Sequence, residues 1–216
     1  SDFDALRQQG TNENTAFHPN LKLLNALCQE VTQKGMQVGS WSLADHPLGK
    51  EFPVVVIASR NHAIHIRDNS KVKESFDINS PIYAEISRIK KSQREVGKFG
   101  ADWLFYLPEK DKFATFLAGS FSSKPLTFFL ANHIEPIEKR RPVTVDLPFT
   151  NCFYLNAEFI NRPPRYVCWE PRATAVDPPD SSWFPNPEEQ KIALDIFFKP
   201  TLLEAKVELN EDGVDR

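Results

Sequence analysis

SPIYAEISRIKKSQREVGKFGADWLFYLPEKDKFATFLAGSF, residues 80–121, places three kinds of signal side by side. Ser80-Pro81 starts a helix. The serine hydroxyl caps the first free backbone N–H groups, and proline suits the first helical position. Ile82, Ile86 and Ile89 follow at i, i+4 and i+7, with Tyr83 beside them. Arg88, Lys90, Lys91 and Arg94 take the other faces, and Gly97 and Gly100 read as the helix end. Ala101–Leu107 then alternates as a strand closed by Pro108. Glu109–Lys112 turns the chain, and Phe113 onwards returns it. Trp103, Phe105 and Leu107 share one face, while Leu104 and Tyr106 share the other. With both faces apolar, the strand is either central or carries an exposed aromatic platform.

Upstream, residues 1–20 are polar and read as a mobile arm. Leu21, Leu24, Leu27, Cys28 and Val31 fall on one helical face, so 21–31 reads as a docked helix. Met36–Leu43 reads as a strand with an irregularity at Gly39, and Asp45–Lys50 as a turn. Pro53–Ser59 and His62–Arg67 read as a hairpin turned at Ser-Arg-Asn-His, and 68–79 as a polar connection.

Downstream, Pro125 begins a helix packing Leu126, Phe129, Leu130 and Ile134. Asn151–Ile160 and Pro164–Val176 form a second hairpin across Asn-Arg-Pro-Pro. A proline-rich connection presents Trp183-Phe184, and Asn186-Pro187 caps a last short helix. Residues 204–216 are an acidic tail, leaving 21–203 as a single domain. The pattern is α+β: seven or eight short, mainly antiparallel strands with three to four packed helices. A small OB-like barrel satisfies it, and so does a two-layer sandwich.

Composition sets the outer bounds. A chain of 216 residues buries about 70% of its unfolded surface without disulfide or metal staples. Three cysteines, Cys28, Cys152 and Cys168, match neither a secreted framework nor a zinc site. Free thiols in a cytoplasmic protein are expected, and a Cys152–Cys168 bridge is the alternative. No apolar run reaches the ~20 residues of a membrane helix, so no membrane partner is expected. The net charge of −3 hides an asymmetry. Between Ile86 and Arg141 eleven Lys and Arg face six acids, whereas between Ala175 and Arg216 ten acids face four Lys and Arg.

No pattern marks a catalytic centre, and no cofactor is expected. Gly97-Lys98-Phe99-Gly100 has too few glycines for a phosphate loop. Ser120 has no paired base and reads as a turn serine. His62 and His65 lie three apart on a strand, hence on opposite faces, and read as surface residues rather than metal ligands. His18, His46 and His133 sit near turns or element ends. Asp146, Glu158 and Glu170 are candidates for carboxylates on neighbouring strands.

The interleaving of rings and cations remains. Proteins that hold single-stranded nucleic acid combine a basic groove with exposed rings that stack bases. Here Trp103, Phe105, Tyr106, Phe113 and Phe116 are flanked by Arg88, Lys90, Lys91, Arg94, Lys98, Lys110 and Lys112. Tyr154, Phe159, Tyr166 and Trp169, with Arg162 and Arg165, repeat the mixture. The expectation is a non-enzymatic single-stranded nucleic-acid-binding protein. The alternative is a structural or protein-interaction module, including self-association, that uses Trp183-Phe184. An enzyme stands third.

Overall fold

The computed structural model describes residues 18–134 apart from Asp45, Asn69, Gln93 and Ser120, together with 151–162 and 166–198. Among these residues the chain is a mixture of four α-helices and two antiparallel sheets with nine strands.

The small sheet has the order β1 (Leu21–Leu23), β2 (Trp41–Leu43), β3 (His46–Gly49). The large sheet is built on β4, Phe52–Arg67, a strand of 16 residues. One edge of β4 pairs with β6 (Glu95–Leu107) from Val55 to Arg67. Its other edge is shared: Phe52–Val55 pairs with β8 (Cys152–Arg162), and Ala63–Arg67 with β5 (Ser70–Ser75). β7 (Lys112–Ala118) flanks β6, and β9 (Tyr166–Ala175) flanks β8. In the order β7-β6-β4-β8-β9, β8 returns after β6 and β7 to pair with β4 on the edge it shares with β5.

Two apolar layers use the two faces of this sheet. On the first face, Val54, Val56, Trp103, Phe105, Leu107, Phe116 and Phe153 pack against Leu21, Trp41 and Leu43 of the small sheet. Leu126 and Leu130 of α3 (Lys124–His133) complete that cluster. On the second face, Val55, Ile57, Leu104, Tyr106 and Phe113 pack against Ala193 and Phe197 of α4 (Pro187–Phe197). Residues 19–25 reach both outer strands of the large sheet. The Thr115 N–H of β7 donates to Pro19 O at 3.0 Å, and the Trp169 N–H of β9 donates to Asn25 Oδ1 at 2.8 Å.

Several expectations are corrected. Residues 21–31 are not one helix: Leu21–Leu23 is a strand and only Gln29–Thr32, α1, is helical. Leu21 and Leu24 are buried by the sheet, while Leu27 is exposed, so the helical spacing is coincidental. The turn expected at Ser59–His62 is continuous strand, because Ser59, Arg60 and Asn61 all pair with β6 and none of them is Gly or Pro. Two further segments expected as connections, His46–Gly49 and Ser70–Ser75, are strands. The helix begun at Ser80 ends at Ser87 (α2, Pro81–Ser87), and Gly97 and Gly100 lie inside β6. They serve close approach: a Cβ on Gly97 would lie 2.3 Å from Ile86 O, and one on Gly100 2.2 Å from Ala118 O.

Other expectations hold. Ser80 Oγ accepts from the Tyr83 N–H, and Asn186 Oδ1 from the Glu188 N–H. The hairpins β6–β7 and β8–β9 form. Trp183-Phe184, expected to be exposed, is half-buried, with Trp183 edge-on to Tyr154 at 5.9 Å. The three thiols are free, and Cys168 pairs with Ile160 rather than Cys152. Residues 18–20 of the expected arm are held, since His18 and Pro19 make hydrogen bonds. Residues 1–17 and the acidic tail 204–216 lie outside the described residues. No helix among the described residues is long and apolar enough to cross a membrane.

Candidate functional site

The cap at Ser80 and the burial of Tyr83 and Ile86 fix α2 against β6. Its last turn lies over Gly97 of β6, and the connection that follows reaches the Arg67 end of β4, where the Asp68 N–H donates to Arg94 O at 2.8 Å. Arg88, Lys90, Lys91 and Arg94 lie there, and Lys98 follows on β6; all five are exposed. The acids near them are engaged by other cations. Glu95 accepts from His65 at 2.6 Å and Arg67 at 2.8 Å, and Glu85 pairs with Lys73 at 2.6 Å. Among the described residues none of the five forms an ion pair. The loop thus keeps a local excess of positive charge.

Phe99 completes the group. Its ring is 43% exposed and edge-on to Tyr83 at 6.4 Å. Ile89 packs over Gly97, and Gly97 lies two strand positions from Phe99, or about 7 Å. Phe99 therefore faces the α2 side of β6, whereas Lys98, one residue earlier on the strand, faces the opposite side. Sequence reasoning passed over Phe99 because the glycines around it looked like a helix stop.

The other expected site residues are dispersed. Trp103 is 2% exposed and Tyr106 5%, so of the two alternatives for this strand the central, buried one is observed. Phe105, Phe113 and Phe116 are buried with them. Trp103 faces the first cluster, and Tyr106 the second, with its hydroxyl donating to Asp111 at 2.8 Å. Lys112 is half-buried opposite Leu107, at the far end of β6 from Lys98, and Lys110 is exposed in the turn before it. Arg162 is exposed at the end of β8, where Tyr166 pairs with it in register; Arg165 lies outside the described residues. Trp169 is half-buried against Gly39, tilted 5.4 Å from the half-exposed Phe159. β8 pairs with β4 at its Phe52 end, whereas the basic loop adjoins the Arg67 end. The two basic groups thus flank opposite ends of a 16-residue strand.

A second cluster is buried. His62 Nδ1 lies 3.1 Å from Asp102 Oδ2, and its Nε2 lies 2.6 Å from Glu74 Oε1. Arg60 Nε donates to Asp102 at 3.2 Å, and Lys71 pairs with Glu74 at 2.6 Å. The expectation that His62 and His65 are surface residues is corrected: both are buried and hydrogen-bonded to carboxylates. Burial opposes the charged imidazole of His62, but the hydrogen bonds to Asp102 and Glu74 outweigh it and raise the pKa above 6.5. No group of acids, histidines and cysteines able to hold a metal occurs among the described residues.

Glu158 and Glu170 do face each other across β8 and β9. Arg172 bridges them, with Nε 3.1 Å from Glu158 and Nη2 on Glu170, so the pair is a structural ion bridge. Asp146 lies outside the described residues. Burial pushes the Cys152 thiol up to about 12, which keeps it protonated. No protein-family model, curated protein or solved structure matches the chain.

Proposed function

We propose that the chain binds single-stranded nucleic acid at the end of β4 and β6, through Arg88, Lys90, Lys91, Arg94 and Lys98 and the ring of Phe99. The observation that carries this reading is a run of five exposed cations without ion pairs, with an exposed ring, Phe99, on the strand that follows the run. Cations follow phosphates and a ring stacks a base, and neither demands a particular sequence. The strand order lends support. Setting β5 aside, the open order β7-β6-β4-β8-β9, with α3 between β7 and β8, is compatible with a five-stranded, partly open OB-type barrel. In that barrel type the loop after the first strand helps hold oligonucleotides, and here Arg88, Lys90, Lys91 and Arg94 lie in that connection.

Fluorescence titration with a labelled oligonucleotide tests the reading. Binding is expected at ~50 mM salt and falls as salt rises, by roughly 0.7 log units per log unit of salt for each phosphate contact. Absence of binding at ~50 mM salt removes it, since that condition favours it most.

A second reading, a protein-docking module, draws on a different surface. An open apolar cleft of about 400 Å3 lies between α3 and β9, lined by Phe128, Phe129, His133 and Ala173. Phe128 is 74% exposed there. Light scattering coupled to size exclusion, with and without Phe128→Asp, distinguishes self-association through this cleft from a monomer.

A further inference from the structure

Helix α4 covers the second face of the large sheet with Ala193 and Phe197, and Leu194 packs partly buried against the same cluster. Of its eleven residues only Gln190, Ala193 and Phe197 are buried. Beneath it lies a complete strand face, in which Tyr106 of β6 and Phe113 of β7 are cross-strand partners with ring centroids 5.2 Å apart. The C-terminal end of α4 is clamped by Arg60. Its guanidinium lies 3.5 Å from the ring centre of Phe76 and 4.3 Å from that of Phe197, and donates to the Phe197 carbonyl. His18 meets the Ala193 carbonyl from the other side at 2.9 Å. Rings and an arginine are the groups that stack bases in proteins holding single strands. The helix itself is acidic: Glu188, Glu189 and Asp195 face Lys191 alone, and the chain beyond it is rich in Asp and Glu.

We propose that α4 is a displaceable, autoinhibitory cover, and that Tyr106, Phe113 and Arg60 beneath it form a second stacking surface for single-stranded nucleic acid. This rests on the reading of the chain as a nucleic-acid binder. The cover and the ligand exclude each other, because both need the same face and both carry negative charge. Displacement requires that Gln190, Ala193, Leu194 and Phe197 leave the sheet, that His18 release the Ala193 carbonyl, and that Arg60, which keeps its ion pair with Asp102, exchange a carbonyl for a phosphate, a stronger partner for a guanidinium.

The test uses the full chain and an oligothymidylate at ~50 mM salt. Phe197→Ala removes the ring under the clamp and is expected to tighten binding roughly tenfold, the gain of about one stacked base. Tyr106→Leu added to Phe197→Ala is expected to abolish that gain. Unchanged or weaker binding by a folded Phe197→Ala overturns the cover. Should Phe197→Ala not fold, hydrogen exchange on the unaltered chain decides. Faster exchange in α4 on adding oligonucleotide supports the cover, and unchanged or slower exchange overturns it. Binding by the unaltered chain with no gain in the variant overturns this proposal alone, whereas no binding by any form overturns the underlying reading as well.

Discussion

His62 Nε2 and Glu74 Oε1 are 2.6 Å apart, on strands β4 and β5 that pair antiparallel, and both side chains are almost closed to solvent. Asp102 approaches the other ring nitrogen from β6, and the Phe76 ring lies 4.4 Å from the imidazole. Arg60 and Lys71 hold the outer sides of the two carboxylates. One histidine thereby joins three strands next to the clamp on α4.

A pH dependence follows from this pairing. The folded-state pKa of His62 lies above its ordinary 6.5. Its contribution is complete below about pH 6.5 and is lost as pH rises through the folded value. Glu74 is shifted down: burial opposes this, but His62 and Lys71 outweigh it, so its contribution is lost only in acid, below 4.5. His62→Gln should therefore lower stability by about 2–3 kcal/mol near pH 6. The deficit should shrink towards about pH 9, in urea unfolding of both forms. A deficit that stays constant across that range contradicts a charged His62.

Gly39 and Trp169 make a second, geometric prediction. Gly39 has φ +77°, and a Cβ there would lie 2.6 Å from the Trp169 ring. Gly39→Ala combines left-handed strain with overpacking and should cost about 2–5 kcal/mol. Gly35 has φ +67° but nothing within 4 Å, so Gly35→Ala should cost only about 1–2 kcal/mol. Equal urea midpoints for the two variants would show that the indole moves aside freely.

The two kinds of ring on β6 should respond differently to truncation. Phe99→Ala is expected to leave the thermal midpoint nearly unchanged and to weaken oligonucleotide binding by about 1–3 kcal/mol. Trp103→Ala opens the first cluster and should cost about 3–5 kcal/mol of stability. Oligonucleotide affinity unaltered by Phe99→Ala would remove the ring from the interface.

Charge reversal separates phosphate neutralisation from general electrostatics. Lys90→Glu with Lys91→Glu should reduce the salt slope of binding by roughly 1.4, about 0.7 for each phosphate no longer neutralised. Arg162→Glu, at the other end of β4, should leave the slope unchanged. A slope equally reduced by both would place the ligand across the whole sheet rather than at the basic loop.

Legibility varied with how local each signal was. Ser80-Pro81 and Asn186-Pro187 announced their helices because capping involves residues only two or three apart. The hairpin β6–β7 was readable because alternation and a short turn are also local. At the candidate site, the basic residues from Arg88 to Lys98 were visible as a run. Their lack of partners was not, because it depends on His65 and Arg67 engaging Glu95 from β4. Phe99 escaped notice for a related reason: the glycines beside it answer to Ile86 and Ala118, which sequence spacing does not bring to mind.

Local chemistry along the chain dictated the class, α+β with mainly antiparallel strands, and most of the points where helices begin. It left open whether the aromatic side chains of β6 and β7 would build the interior or a surface platform. What each face meets was set by tertiary packing. β4 runs through Ser59–Asn61 because β6 offers a partner at every residue, so pairing overrides the weak local preference for a turn. Residues 80–121 carry two apolar strand faces because the small sheet and α3 cover one, and α4 the other. Burial is a property of what packs against a residue, and those partners come from elements far away in the chain.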